Sequence, residues 1–70
     1  DPSLVGLARC VAWVLRAYGF YVRRHSTEII VGDGRSLQCY LEVSSRGILV
    51  RILPSYSSAN LKRLLAILVS

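Results

Sequence analysis

The sequence predicts a two-layer α+β fold ordered helix, four antiparallel strands, helix, with both helices on one face of a meander sheet. Three observations lead there. Apolar residues recur at helical spacing near both ends of the 70-residue chain. Between those ends the period drops to two. The strand-like runs are joined by connections too short for a crossover, so neighbours must run antiparallel. The whole of residues 1–70 reads as one domain.

Asp1-Pro2 offers an N-cap acceptor followed by proline at the first helical position. Leu4, Leu7, Val11, Val14, Leu15 and Tyr18 then make one apolar stripe, predicting a helix over residues 3–18 that buries that stripe and stops at Gly19. Phe20-Tyr21-Val22-Arg23 reads as a first strand and Glu28-Ile29-Ile30-Val31 as a second. Gly32-Asp33-Gly34-Arg35 carries hairpin chemistry. In the third strand Leu37, Cys39, Leu41 and Val43 alternate with Gln38, Tyr40 and Glu42, the clearest half-buried pattern in the chain. Ser44-Ser45-Arg46-Gly47 makes a tight turn into a fourth strand, where Ile48, Val50 and Ile52 face one way and Leu49, Arg51 and Leu53 the other. Pro54 ends the sheet, and Ser55-Tyr56-Ser57-Ser58 supplies N-cap candidates for the closing helix. Leu61, Leu64, Leu65 and Leu68 form its expected buried stripe. Ile67 and Val69 lie off that stripe, and nothing is expected to cap the helix end.

A chain this short buries only about 60% of its unfolded surface, so its core is marginal unless something assists it. With 53% hydrophobic residues, surplus apolar side chains must stay exposed or be covered by another subunit, which favours a homo-oligomer, dimer or tetramer. Nine basic residues, eight of them arginine, stand against four acidic ones for a net charge of +5. Arginine presents a planar fork suited to phosphate and a flat cation that stacks on bases. This balance leans toward a polyanionic partner, although a GC-rich genome also favours arginine codons. Cys10 and Cys39 are too few and too far apart for a zinc cluster and read as buried free thiols. No apolar run approaches the ~18 residues that span a bilayer, and no leader opens the chain. A soluble, cytoplasmic protein is therefore expected. The absence of Met means either that the initiator was removed or that this is an excised domain.

No catalytic set is legible, and no cofactor or small-molecule substrate is called for. His25 is the lone histidine and has no partnered nucleophile. Asp33 and Glu42 loosely resemble the carboxylate pair of a restriction-nuclease core. The lysine expected two residues beyond the second carboxylate is instead Ser44, so the metal-bridging and water-activating set is incomplete. Gly32-Asp33-Gly34 lacks the residues of a phosphate-cradling loop and is explained by the hairpin.

The face of the sheet away from the helices is the stronger candidate. Alternation projects Tyr21, Arg23 and His25 from the first strand, Gln38, Tyr40 and Glu42 from the third, and Leu49, Arg51 and Leu53 from the fourth. Rings for bases to stack on, beside cations that follow phosphates, are what single-strand binders use, and stacking is worth about 1–3 kcal/mol per base. The competing reading is a solvated or dimer-forming face. A second candidate is the row Arg9, Trp13, Arg16 on the outer side of the first helix, where a flat partner or an intrahelical cation–π contact are the two readings. The start of the closing helix is a third. Its free N–H groups would hold a phosphate, and Lys62 and Arg63 sit where the helix macrodipole disfavours cations. Arg24, Arg35 and Arg46 are expected to extend positive potential along the open face.

This order of elements, with an open sheet rich in Tyr and Arg, resembles the small archaeal single-stranded DNA-binding proteins related to ThermoDBP. The likeness spans most of the chain in layout and rests on no sharp motif. It implies sequence-independent binding of single strands by an oligomer, in a cleft lined by apolar and basic groups. The positions it carries over are Tyr21, Arg23, Tyr40 and Arg51, with the Arg9-Trp13-Arg16 row. Larger members extend into a C-terminal helical oligomerisation segment, whereas this sequence stops at Ser70. The arginine-rich, methionine-free composition accords with a thermophilic archaeon, although the general heat-adapted signal is Lys and Glu enrichment. The expected function is therefore single-stranded DNA binding, with RNA as a possible substrate. A protein–protein interaction module and a degenerate nuclease-like subunit are the alternatives.

Overall fold

A computed structural model describes residues 2–32 and 37–70. Asp1 and Asp33-Gly34-Arg35, on which an N-cap and a hairpin turn were expected, lie outside the described residues, as do the side chains of Leu37 and Gln38. The chain forms α1 (Pro2–Ala17), β1 (Tyr21–His25), β2 (Glu28–Gly32), β3 (Leu37–Ser44), β4 (Gly47–Ile52) and α2 (Ser58–Val69). The strands form one open antiparallel sheet in the order β1-β2-β3-β4. Both helices pack on one face of it, as the sequence predicts.

The exit from α1 shows how local chemistry sets the fold. Gly19 takes φ +93°, a left-handed conformation that costs glycine little. The Gly19 N–H then donates to the Arg16 carbonyl and the Phe20 N–H to the Leu15 carbonyl, both at 3.0 Å. This is a Schellman motif, and its accompanying apolar contact joins Leu15 to Phe20, both buried in the core. The chain thereby turns back so that β1 runs under the helix it has just left.

The core holds Ala8, Ala12 and Leu15 from α1, alternate residues of the strands from Val22 to Val43, Tyr56 from the connection, and Leu64 from α2. Two expectations are corrected here. On α1 the buried line is Ala8-Ala12-Leu15, flanked by Leu4 and Val11, while Leu7, Val14 and Tyr18 are exposed. The two alanines let the helix backbone lie close to the sheet, and this rotates the larger residues off the contact. On α2 Leu65 is exposed and Ile67 packs on the core, the reverse of the expected pair. A third correction concerns the end of α2, where Ser70 donates from its backbone N–H and its Oγ to the Ile67 carbonyl. The start of that helix is capped by Ser57, whose Oγ accepts the Asn60 N–H at 3.3 Å.

Between Val31 and Gly32 the β2–β3 register shifts, so Val31 opposes Cys39 whereas Gly32 opposes Leu37. The extra residue on β3 is Gln38, and the simple alternation therefore holds from Cys39 onward. The β1–β2 turn places Ser26 at φ 56°. In the β3–β4 turn, Ser44 Oγ accepts the Arg46 N–H and donates to the Gly47 carbonyl.

Candidate nucleic-acid interface

Cross-strand register arranges the open face in rows. Arg23 opposes Ile30, Ile30 opposes Tyr40, and Tyr40 opposes Arg51. One line of side chains thus crosses all four strands as cation, aliphatic, ring, cation. With strands ~4.8 Å apart, the line is ~14 Å long, about four nucleotides at the ~3.4 Å spacing of stacked bases. Tyr21 stands beside this row on the edge strand, and Tyr21, Arg23, Tyr40 and Arg51 are all exposed. Tyr40 is 38% exposed and stands between Ile30 and Arg51 of the neighbouring strands.

The next row has a different character. His25 opposes Glu28, Glu28 opposes Glu42, and Glu42 opposes Leu49. Two carboxylates face each other across strands, an arrangement that is unfavourable without relief. Part of the relief is Thr27, whose Oγ1 donates to Glu42 Oε1 at 2.9 Å. A shallow depression of about 370 Å³ lies between Glu28, Tyr40, Glu42, Leu49 and Arg51. The open face is therefore polarised, basic and aromatic along one row and acidic along the next. Continuing the alternation through β2 places Glu28 and Ile30 on this face. Neither was singled out from the sequence, although the pattern around Ile29 contained both.

The Arg9-Trp13-Arg16 row lies on the outer side of α1, with the helix and the sheet between it and the open face. Trp13 is 70% exposed, and Arg9 and Trp13 border a shallow trough with Gly6, Cys10 and Val14. Arg16 is engaged differently. Its Nε and Nη2 donate to the Val22 carbonyl at 3.3 and 3.2 Å, fastening α1 to the edge of β1. The two groups of residues therefore do not share one surface.

Three further arginine expectations change with the fold. Arg24 falls on the core side of β1, opposite Ile29, and donates to the Ser26 carbonyl at 2.9 Å. It does not line the open face. Arg35 lies outside the described residues, and Arg46 is exposed in the β3–β4 turn. Arg63 reaches the end of α1, donating to the Tyr18 carbonyl at 2.9 Å and to Asn60 Oδ1 at 3.4 Å, with its guanidinium 4.9 Å from the Phe20 ring centre. Its position early in α2 is explained by this junction and needs no phosphate. The Ser57 cap also takes up one of the N–H groups that an anion would use there.

The thiols separate. Cys39 is fully buried, and burial raises its pKa above the ordinary 9.0. Cys10, expected inside, is exposed because it sits on the Leu7–Val14 side of α1, away from the sheet. Among the described residues no three His, Cys, Asp or Glu side chains gather in a way that would hold a metal ion. Among the described residues no helix is long and apolar enough to cross a membrane. Comparison with protein-family models, curated proteins and solved structures gave no match.

Proposed function

We propose that this protein binds single-stranded nucleic acid, without sequence preference, across the open face of its sheet. The observation that carries the reading is the Arg23–Ile30–Tyr40–Arg51 row with Tyr21 beside it. Rings offer stacking surfaces to any base, and the two guanidiniums displace counterions from the backbone at either end. His25 lies in the adjoining acidic row, opposite Glu28. The acidic row steers the strand across the sheet rather than along it, because phosphates avoid Glu28 and Glu42. Arg9 and Trp13 form a second, separate contact on the far side. The resemblance of the element order to the ThermoDBP-related proteins points to the same substrate class, single-stranded DNA, with RNA as the alternative.

The test is binding of a fluorescent mixed-sequence oligonucleotide, single-stranded against duplex. Tyr40→Ala with Arg51→Ala is expected to weaken single-strand binding at least ~5-fold, from the stacking energy of one base alone. Arg9→Ala with Trp13→Ala is expected to weaken it less. Unchanged binding in the first double variant refutes the sheet-face assignment. A protein-interaction module is the second reading, favoured by the exposed Leu7, Val14 and Tyr18 on α1 and by a groove of about 260 Å³ between α1, β4 and α2. Absence of binding to either oligonucleotide at low salt selects it.

A further inference from the structure

The two edges of the sheet are not equivalent. Ser44 and Gly47 flank a two-residue turn, so they exchange hydrogen bonds. Alternation then directs the Gly47, Leu49 and Arg51 backbone toward β3. The Val43 N–H, which donates outward to the Thr27 carbonyl at 3.0 Å, fixes the same phase. The amides and carbonyls of Ile48, Val50 and Ile52 therefore point out of the sheet, and no described group bonds to them. The same argument applied to β1 leaves Val22 and Arg24 facing outward. There the Val22 carbonyl is occupied by the Arg16 guanidinium, and Arg23, Arg24 and His25 load the strand with charge. Natural sheets blunt their edges in this way. β4 is less protected: it reads Gly-Ile-Leu-Val-Arg-Ile, with Arg51 its one charge, Leu49 60% and Ile52 43% exposed, and Leu53 exposed just beyond it.

We infer that β4 pairs antiparallel with β4 of a second copy, about a two-fold axis through Val50, to make a continuous eight-stranded sheet. The axis position follows from charge together with the matching of all three outward residues, Ile48, Val50 and Ile52, among themselves. Centred on Val50, Ile48 meets the partner's Ile52, and on the open face Arg51 meets the partner's Leu49. Centred on Arg51, the two guanidiniums would be directly opposed, which is unfavourable. Six outward donors and six acceptors, three of each per chain, are matched in the first arrangement. The edge is about 20 Å long at ~3.4 Å per residue and, because neither helix packs closely on β4, only about 10 Å high through the sheet layer, or ~200 Å² per chain. A standard stable interface needs ~800 Å² per partner. The dimer is therefore reversible and concentration-dependent. This deepens the oligomer part of the proposed function by naming its surface. It brings the two Arg–Tyr rows onto one face.

The test is sedimentation equilibrium without nucleic acid, from micromolar to ~1 mM chain, so its outcome is independent of whether strands bind. Wild type is expected to show a monomer–dimer equilibrium. Leu49→Lys places a cation against the partner's Arg51 and is expected to raise the dimer Kd at least tenfold. Leu49→Glu is expected to lower it about threefold. Within the chain residue 49 opposes Glu42, so fold stability moves the other way, up with Lys and down with Glu. Thermal unfolding of both variants therefore separates association from folding. A wild type that stays monomeric to ~1 mM leaves the edge to some other strand and overturns the inference. So does a dimer that Leu49→Lys does not weaken.

Discussion

Removing the Arg63 guanidinium takes away a hydrogen bond to the end of α1, a contact to Asn60 and a cation over the Phe20 ring. Partial exposure discounts each of these, and Arg63→Ala is expected to cost about 1–2 kcal/mol in chemical denaturation. Lysine should not restore it, having no fork to divide between two acceptors. The two thiols give a second test at this scale. A thiol reagent should label Cys10 rapidly in the native protein and Cys39 only after unfolding. Because burial raises the Cys39 pKa, the native state keeps its proton above pH 9.0 while the unfolded chain releases it. Stability should therefore fall as pH rises through and beyond that value. Cys39→Val, measured alongside wild type between pH 8 and 11, should lack that part of the decline.

At the scale of elements, α1 carries a glycine it does not need. Gly6 is exposed within the helix, and a methyl group added there meets nothing within 4 Å. Gly6→Ala should stabilise by about 0.4–1 kcal/mol, raising Tm by a few degrees in a thermal melt. The start of α2 should respond in the opposite sense. Ser57→Ala removes the Oγ that accepts the Asn60 N–H and should cost about 1 kcal/mol. An unchanged melting temperature would mean that another serine of the 55–58 run takes over the cap.

For the whole molecule, the salt dependence of binding reports how many guanidiniums are free to meet phosphate. Eight arginines in the sequence suggest four or five contacts. Folding occupies Arg16, Arg24 and Arg63 on carbonyls and leaves Arg23 and Arg51 on the proposed track. At about 0.7 per phosphate for single strands, the slope of log K against log salt should lie near −1.4 for a monomer. A β4-joined dimer presenting both rows should approach −2.8. Titrations below and above the dimer Kd should show this change of slope.

Element order, the strand phase of β1, of β4 and of β3 from Cys39 onward, and the Ser44–Gly47 turn were legible in the residues, because they depend on local periodicity and turn chemistry that neighbours along the chain decide. Tyr21, Arg23, Tyr40 and Arg51 share a face for the same reason: a strand has period two wherever it sits. Tertiary structure decided what local pattern leaves open. The apolar arc of α1 is wider than its contact with the sheet, so packing of Ala8 and Ala12 against the strands chose which part was buried. Register then set Arg23, Tyr40 and Arg51 in one row and Glu28 against Glu42 in the next, since pairing between distant segments has no signature within either one. Charge count came from the sequence alone. Which charges remain free for a partner was settled only when carbonyls at the ends of α1 and β1 came within reach of Arg16 and Arg63, because a long flexible side chain finds its acceptor in space.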